Sequence, residues 1–122
     1  MEWEVMATLK QVKQQIAADP KNWFIYLMDF VDDFRRRRDR RMIEEPFEMD
    51  DERFDALLAA TAEQLCGELK IEPPEWILAV PAVRRAWFVS GMESLKAIAL
   101  VESPLPFRRR KVFVLENFLS RV

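Results

Sequence analysis

Apolar residues in this chain recur every three or four positions, in segments that end at proline. That pattern commits most of the chain to amphipathic helix. Val5, Leu9, Val12 and Ile16 form the first stripe, widened by Trp3 and Met6. Lys10, Lys13 and Gln14 lie on the opposite face, so the spacing predicts a helix over about 2–18. Asp19-Pro20 ends it, because proline disfavours a helical residue before it. Asp19 or Asn22 then offers a cap, and Pro20 a first-turn residue, for a second helix over about 21–43. The first half of that helix, Trp23 to Met28, is apolar nearly all round, as in a stretch buried on more than one side. Leu27, Val31 and Phe34 continue one stripe. Arg35-Arg36-Arg37-Arg38-Asp39-Arg40-Arg41 follows with almost no apolar content. The helix is therefore expected to run past the body of the domain before Glu44, Glu45 and Pro46 close it.

The acidic stretch 44–53 reads as a connection, with Asp50 or Asp51 capping a third helix and acids suiting its first turn. Phe54, Leu57, Leu58, Ala62, Leu65 and Leu69 give that helix a core-facing stripe. Pro73-Pro74 breaks the chain, and a short helical turn to about Val80 follows, anchored by Trp76 and Ile77. Ser90-Gly91-Met92-Glu93 has the spacing of a capping box. Leu95, Ile98, Ala99 and Val101 or Glu102 then follow on a helix that stops at Ser103-Pro104. Residues 107–115 fit two readings. Lys111, Leu115, Phe118 and Val122 continue a helix, whereas Val112-Phe113-Val114 is strand-like and could pair with Trp87-Phe88-Val89 as a minor two-stranded ribbon. The expected architecture is all-α: a single compact domain over 1–122, a bundle of about five helices with or without that ribbon.

Composition narrows the chemistry. Among 122 residues there is no histidine, and there are two glycines and one cysteine. Without histidine there is no Ser-His or Cys-His nucleophile pair and no His-containing zinc site. Gly67 and Gly91 are too far apart for a phosphate loop. Glu44-Glu45 and Asp50-Asp51-Glu52 are explained by connection and capping rather than by a metal, and Cys66 reads as a small core hydrophobe. The expectation is a protein that is not an enzyme, with no catalytic residues, no cofactor and no metal. A lone cysteine, the absence of a ~20-residue apolar run and an acidic opening (Met1-Glu2-Trp3-Glu4) point to a cytoplasmic protein with no membrane partner.

Charge is unevenly spread: residues 1–83 carry −7 and residues 84–122 carry +5. The imbalance either holds the two halves together or recruits a partner to the basic end. Asp32–Arg36 and Asp33–Arg37 sit at helical ion-pair spacing, which favours an intramolecular or protein-partner role for the first arginine run. Arg108-Arg109-Arg110-Lys111, framed by Phe107 and Phe113, is less diluted by acid. It is expected to pair with the acidic 44–55 stretch of the same chain or of a second copy, with nucleic acid as the alternative. Four tryptophans and nine phenylalanines are generous for this length, and Trp and Arg are enriched at interface hot spots. The candidate interaction surface is accordingly Arg35, Arg36, Arg38, Arg108, Arg109, Arg110, Lys111, Trp76 and Trp87. The function expected is a non-catalytic interaction or accessory protein with a protein partner or a second copy of itself. A nucleic-acid-associated regulator is the alternative.

The tail from Glu102-Ser103-Pro104 through Phe107-Arg108-Arg109-Arg110-Lys111-Val112-Phe113-Val114 to Asn117-Phe118-Leu119-Ser120-Arg121 resembles the closing block of a family of small uncharacterised bacterial proteins. Their pattern is roughly E-S-P-x-x-F-R-x-R-N-I-F-V-x-x-N-x-L-S-R. Gly91 to Lys96 and Glu44-Glu45-Pro46 are similar too, and Lys111 stands where the pattern prefers asparagine. The family carries no established activity, so the resemblance implies at most a companion role. Physically the block is a structural signature in which Ser103-Pro104 stops a helix, Phe107 re-enters the core and arginines face water or acid.

Overall fold

The computed structural model describes residues 7–120, so Trp3, Val5, Met6 and Val122 lie outside the described residues. Within them the order is α1 (Leu9–Ala18), α2 (Trp23–Arg37), α3 (Glu52–Leu69), α4 (Glu75–Leu78), β1 (Trp87–Phe88), α5 (Lys96–Glu102), α6 (Leu105–Arg109) and β2 (Val112–Phe113). Short 3₁₀ turns lie at Pro20–Asn22, Arg40–Ile43 and Glu93–Leu95. The fold is predominantly helical, as the apolar spacing requires.

α1 starts at Thr8, whose hydroxyl accepts from Gln11 N while the Gln11 side chain accepts from Thr8 N, a reciprocal capping box. Leu9, Val12 and Ile16 face inward and pack against α2 and α3. α3 is the central element, in contact with α1, α2, α4 and α6. Ala56, Leu57, Leu58, Ala59, Ala60, Thr61 and Ala62 are all fully buried, so this stretch has no solvent face. Its small residues let neighbouring helices approach closely. Asp51 caps α3 through Arg53 N and Phe54 N. Lys13 clamps the entry to α3 against α1, donating to Asp55 at 2.5 Å, Asp50 at 2.7 Å and the Glu48 carbonyl at 2.6 Å.

The second helix does not run on past the domain. It ends at Arg37. Arg38 turns left-handed at φ 53° and donates its N–H to Phe34 O, and the 3₁₀ turn folds the chain back. The physical reason is the pair beyond the arginine run: Met42 and Ile43 are fully buried, and a straight extension would carry both into water.

The ambiguous tail is helix first and strand second. α6 ends at Arg109, and β2 pairs in parallel with β1 in the register Trp87↔Val112 and Phe88↔Phe113. Parallel pairing needs a crossover, and α5 and α6 supply it. The expected Ser90–Glu93 capping box is absent. Gly91 at φ 70° turns the chain immediately after β1, with its N–H on Phe88 O, and Ser90 Oγ accepts from Met92 N instead. The serine is thereby used in the turn, ahead of the helix start.

Candidate interaction surface

The two arginine runs are largely engaged within the fold. Arg35 grips Glu68 with two nitrogens, at 2.8 and 2.9 Å, and reaches the Leu119 carbonyl at 2.6 Å. Arg36 and Arg37 both bond Asp33, Arg40 donates to Glu72 O, and Arg41 pairs with Asp39. Those bonds, from the Arg41 side chain and backbone, bring the Asp39 carboxyl down to about 2. Arg38 is exposed and makes no ion pair among the described residues.

The second run pairs with Glu63 on α3 and not with the acidic 44–55 stretch. Arg109 meets Glu63 at 2.6 and 2.9 Å, and Arg110 meets it at 2.9 Å. The 44–55 acids are used closer to home: Glu45 on Lys10, Asp50 and Asp55 on Lys13, and Glu52 on Arg84. Arg110 cannot belong to an accessible surface. It is 1% exposed, the largest fully buried side chain described, and its guanidinium also donates to the carbonyls of Ile77, Val80 and Pro106. Burial alone would raise the Glu63 carboxyl, but the Arg109 and Arg110 hydrogen bonds outweigh it and hold Glu63 below the usual carboxylate value. Lys111 is exposed at φ 63°, and Arg108 donates to the carbonyls of Val101 and Ser103.

The tryptophans are half-buried structural supports. Trp76 donates its indole N–H to Ile43 O and stands edge-on to Phe47. Trp87 packs edge-on to Phe54 beneath the Arg53 guanidinium.

What the structure does leave open is α5. Its sequence, Lys-Ala-Ile-Ala-Leu-Val-Glu, has no polar residue between its two ends, yet Ala99 is the residue of the helix that is buried. Leu95 is half-buried, and Ile98 and Val101 are exposed. At 100° per residue, Ala97 and Val101 stand opposite Ala99, flanked by Ile98 and Leu100. Val101 is 76% exposed, and Met92 and Leu105, just before and after the helix, are 57% and 68% exposed. Ile98 and Leu100 are each nearly half exposed as well, so the helix presents apolar side chains to water on every side but that of Ala99, a feature that marks interaction sites.

The ridge is firmly mounted. Ser103 Oγ lies within reach of the carbonyls of Ala99 and Val114 and accepts from Val114 N at 2.8 Å. Glu102 accepts from Glu116 N, and Lys96 pairs with Glu93 at 3.1 Å over the Phe88 ring, itself stacked on Phe113. Arg108 sets a positive charge on the carbonyls at the C-terminal end of α5.

No family model, curated protein or solved structure matches this chain. The site therefore rests on its own geometry. A second apolar feature is an open groove of about 320 Å³ between Trp23, Phe24, Val89, Leu115 and Phe118, whose rings pack on one another. Among the described residues no three or more Cys, Asp or Glu converge as a metal site, and no helix is long and apolar enough to cross a membrane. Cys66 is buried in the core, which pushes its thiol up to about 11.

The signal for the α5 ridge is in the sequence: five apolar residues in succession on a helix have no solvent face to offer. Periodicity alone reads such a helix as buried, and it is the fold around it that leaves it uncovered.

Proposed function

We propose that this is a non-catalytic interaction protein, an accessory subunit that docks a protein partner through α5. The observation that carries the reading is a helix apolar on every side, with Val101 76% exposed on a rigid mount. Apolar surface of this kind is stabilised when covered, by ~25 cal/mol for each Å² removed from water. The docking surface comprises Met92, Ala97, Ile98, Leu100, Val101 and Leu105, with Arg108 at its edge.

Nucleic-acid binding has less to draw on. A phosphate-gripping stripe needs cations free of acid, whereas Arg35, Arg36, Arg37, Arg41, Arg109 and Arg110 each bond a carboxylate. A reducing compartment such as the cytoplasm suits a chain whose lone cysteine is buried.

The test is a tagged pull-down from the native host, run with wild type and Val101→Glu, each split into nuclease-treated and untreated halves. A stoichiometric protein that survives nuclease on the wild type and disappears with V101E is the expected result. Equal capture by both proteins removes α5 from the role. Recovery of nucleic acid, with proteins lost on nuclease treatment, overturns the reading in favour of the exposed cations Arg38, Arg108 and Lys111.

A further inference from the structure

We infer that the protein binds a small phosphorylated molecule in a cleft between the start of α3 and the bend that precedes β1, on residues that take no part in the α5 surface. The cleft measures about 420 Å³ and is lined by Glu52, Arg53, Val83, Arg84 and Arg85. Three guanidinium groups therefore face one carboxylate.

The frame of the cleft is fixed. Val83 is buried and donates its N–H to Arg110 O at 3.0 Å, and Trp87 donates to Lys111 O at 2.9 Å. The Arg84-Arg85 bend is thus pinned on both sides. Glu52 joins it to α3 by accepting the Arg84 N–H at 2.6 Å. Across the cleft, the Arg53 guanidinium stands over the Trp87 ring, 5.3 Å from its centre, which restricts a side chain that would otherwise be free in water.

The cations of this cleft differ from those of the two arginine runs. There, Arg35, Arg109 and Arg110 grip carboxylates closely. Here Arg53 and Arg85 are exposed and make no ion pair among the described residues. Arg84 reaches Glu52 only through Nε, at 3.3 Å, with its side chain 90% exposed. The neighbouring acids are held elsewhere: Lys13 takes Asp50 and Asp55, and Asp51 caps α3. The cleft itself keeps a surplus of positive charge.

The chemistry of the occupant follows from the number of forks. A carboxylate fills one guanidinium fork, whereas a phosphoryl group carries three terminal oxygens and about two negative charges and can engage three guanidinium groups at once. The volume lies at the lower end of small-molecule sites. A nucleic-acid strand needs cations spread along a track, and these three share one cleft whose wall includes Glu52.

The experiment is a titration of the ¹⁵N-labelled whole chain, at constant ionic strength, followed by two-dimensional NMR. The probes are pyrophosphate, citrate and a single-stranded DNA of about ten nucleotides. Pyrophosphate should shift the amides of Arg53, Arg84 and Arg85 and the indole N–H of Trp87, saturating with a Kd on the order of 0.1–1 mM. Arg53→Ala and Arg85→Ala should each weaken it by roughly tenfold, with unchanged circular dichroism because both side chains are exposed. Glu52→Gln should tighten it by roughly fivefold, because it removes the opposing charge and keeps an oxygen for the Arg84 N–H. The absence of saturable shifts up to about 10 mM overturns the inference. So do shifts that centre on other residues, or an affinity that R53A and R85A leave unchanged. Citrate binding as tightly as pyrophosphate overturns the choice of phosphate, and tighter binding of the DNA overturns the choice of a small molecule.

Discussion

Arg110 is the residue on which the C-terminal half turns. Its guanidinium joins Glu63 of α3 to the carbonyls of Ile77, Val80 and Pro106, so one side chain ties three stretches of chain together. Replacing it by methionine keeps most of the volume. The carbonyls then lose their donor and Glu63 loses one of its two cations. Breaking a buried pair from one side costs about 3–5 kcal/mol, and Arg110→Met should lower the urea midpoint accordingly at unchanged denaturant slope. Arg109→Met, exposed and sharing the same carboxylate, should cost about 1 kcal/mol or less. In the sequence all four cations of 108–111 look alike. The distinguishing signal is position, because Arg110 falls one turn after Phe107 and both are buried. Charge argues against burial so strongly that the spacing is overridden unless the partner, Glu63, is already known to lie opposite.

At the level of elements, α1 and α3 were legible because their stripes are regular and Asp51 marks the start of α3, whereas the Thr8–Gln11 box that opens α1 at Leu9 went unread behind a stripe that continues upstream. The end of α2 was not, since arginines are good helix formers and nothing local stops them. What stops them is the burial of Met42 and Ile43, a tertiary demand. α5 failed in the opposite sense: its residues announce burial, and the demand is left unmet within one chain. Both long helices finish on a left-handed cation, Arg38 at φ 53° and Lys70 at φ 59°, where glycine is the usual choice. Lys70 has no side-chain bond among the described residues, so nothing is lost with it. Lys70→Gly should stabilise the protein by about 0.5–1 kcal/mol, read as a small rise in Tm, because it removes the left-handed penalty of a β-carbon. A fall in Tm would show that the Lys70 side chain contributes packing.

Across the whole molecule, opposite charge in the two halves serves cohesion where Glu63 meets Arg109 and Arg110 and where Glu52 meets Arg84. The carboxyl of Glu63 titrates below its unfolded value, so its contribution is fully present above the unfolded value of about 4.5 and is lost as pH falls through the lowered folded one. The urea midpoint should therefore decline from pH 5 towards about pH 3. Glu63→Gln should be less stable at neutral pH with a shallower decline, and an unchanged slope would assign acid sensitivity to other carboxylates. The split charge was legible in the sequence. Its actual pairing was not, because contact between residues 63 and 110 is set by how α6 returns across α3.

The parallel ribbon gives α5 an unusual independence. Residues 90–102 stand mostly outside the body after β1, the chain returns to it at Ser103 and Phe107, and β2 then pairs with β1 like a clasp. Ala99 is the point at which α5 itself enters the interior. The helix is thus a detachable cassette. Its four exposed apolar letters, Ala97, Ile98, Leu100 and Val101, can drift, or be exchanged for another binding sequence, while the clasp and the α3-centred core remain untouched. A family built on this plan would keep its interior constant and diversify at α5, acquiring new associations without having to solve its folding problem again.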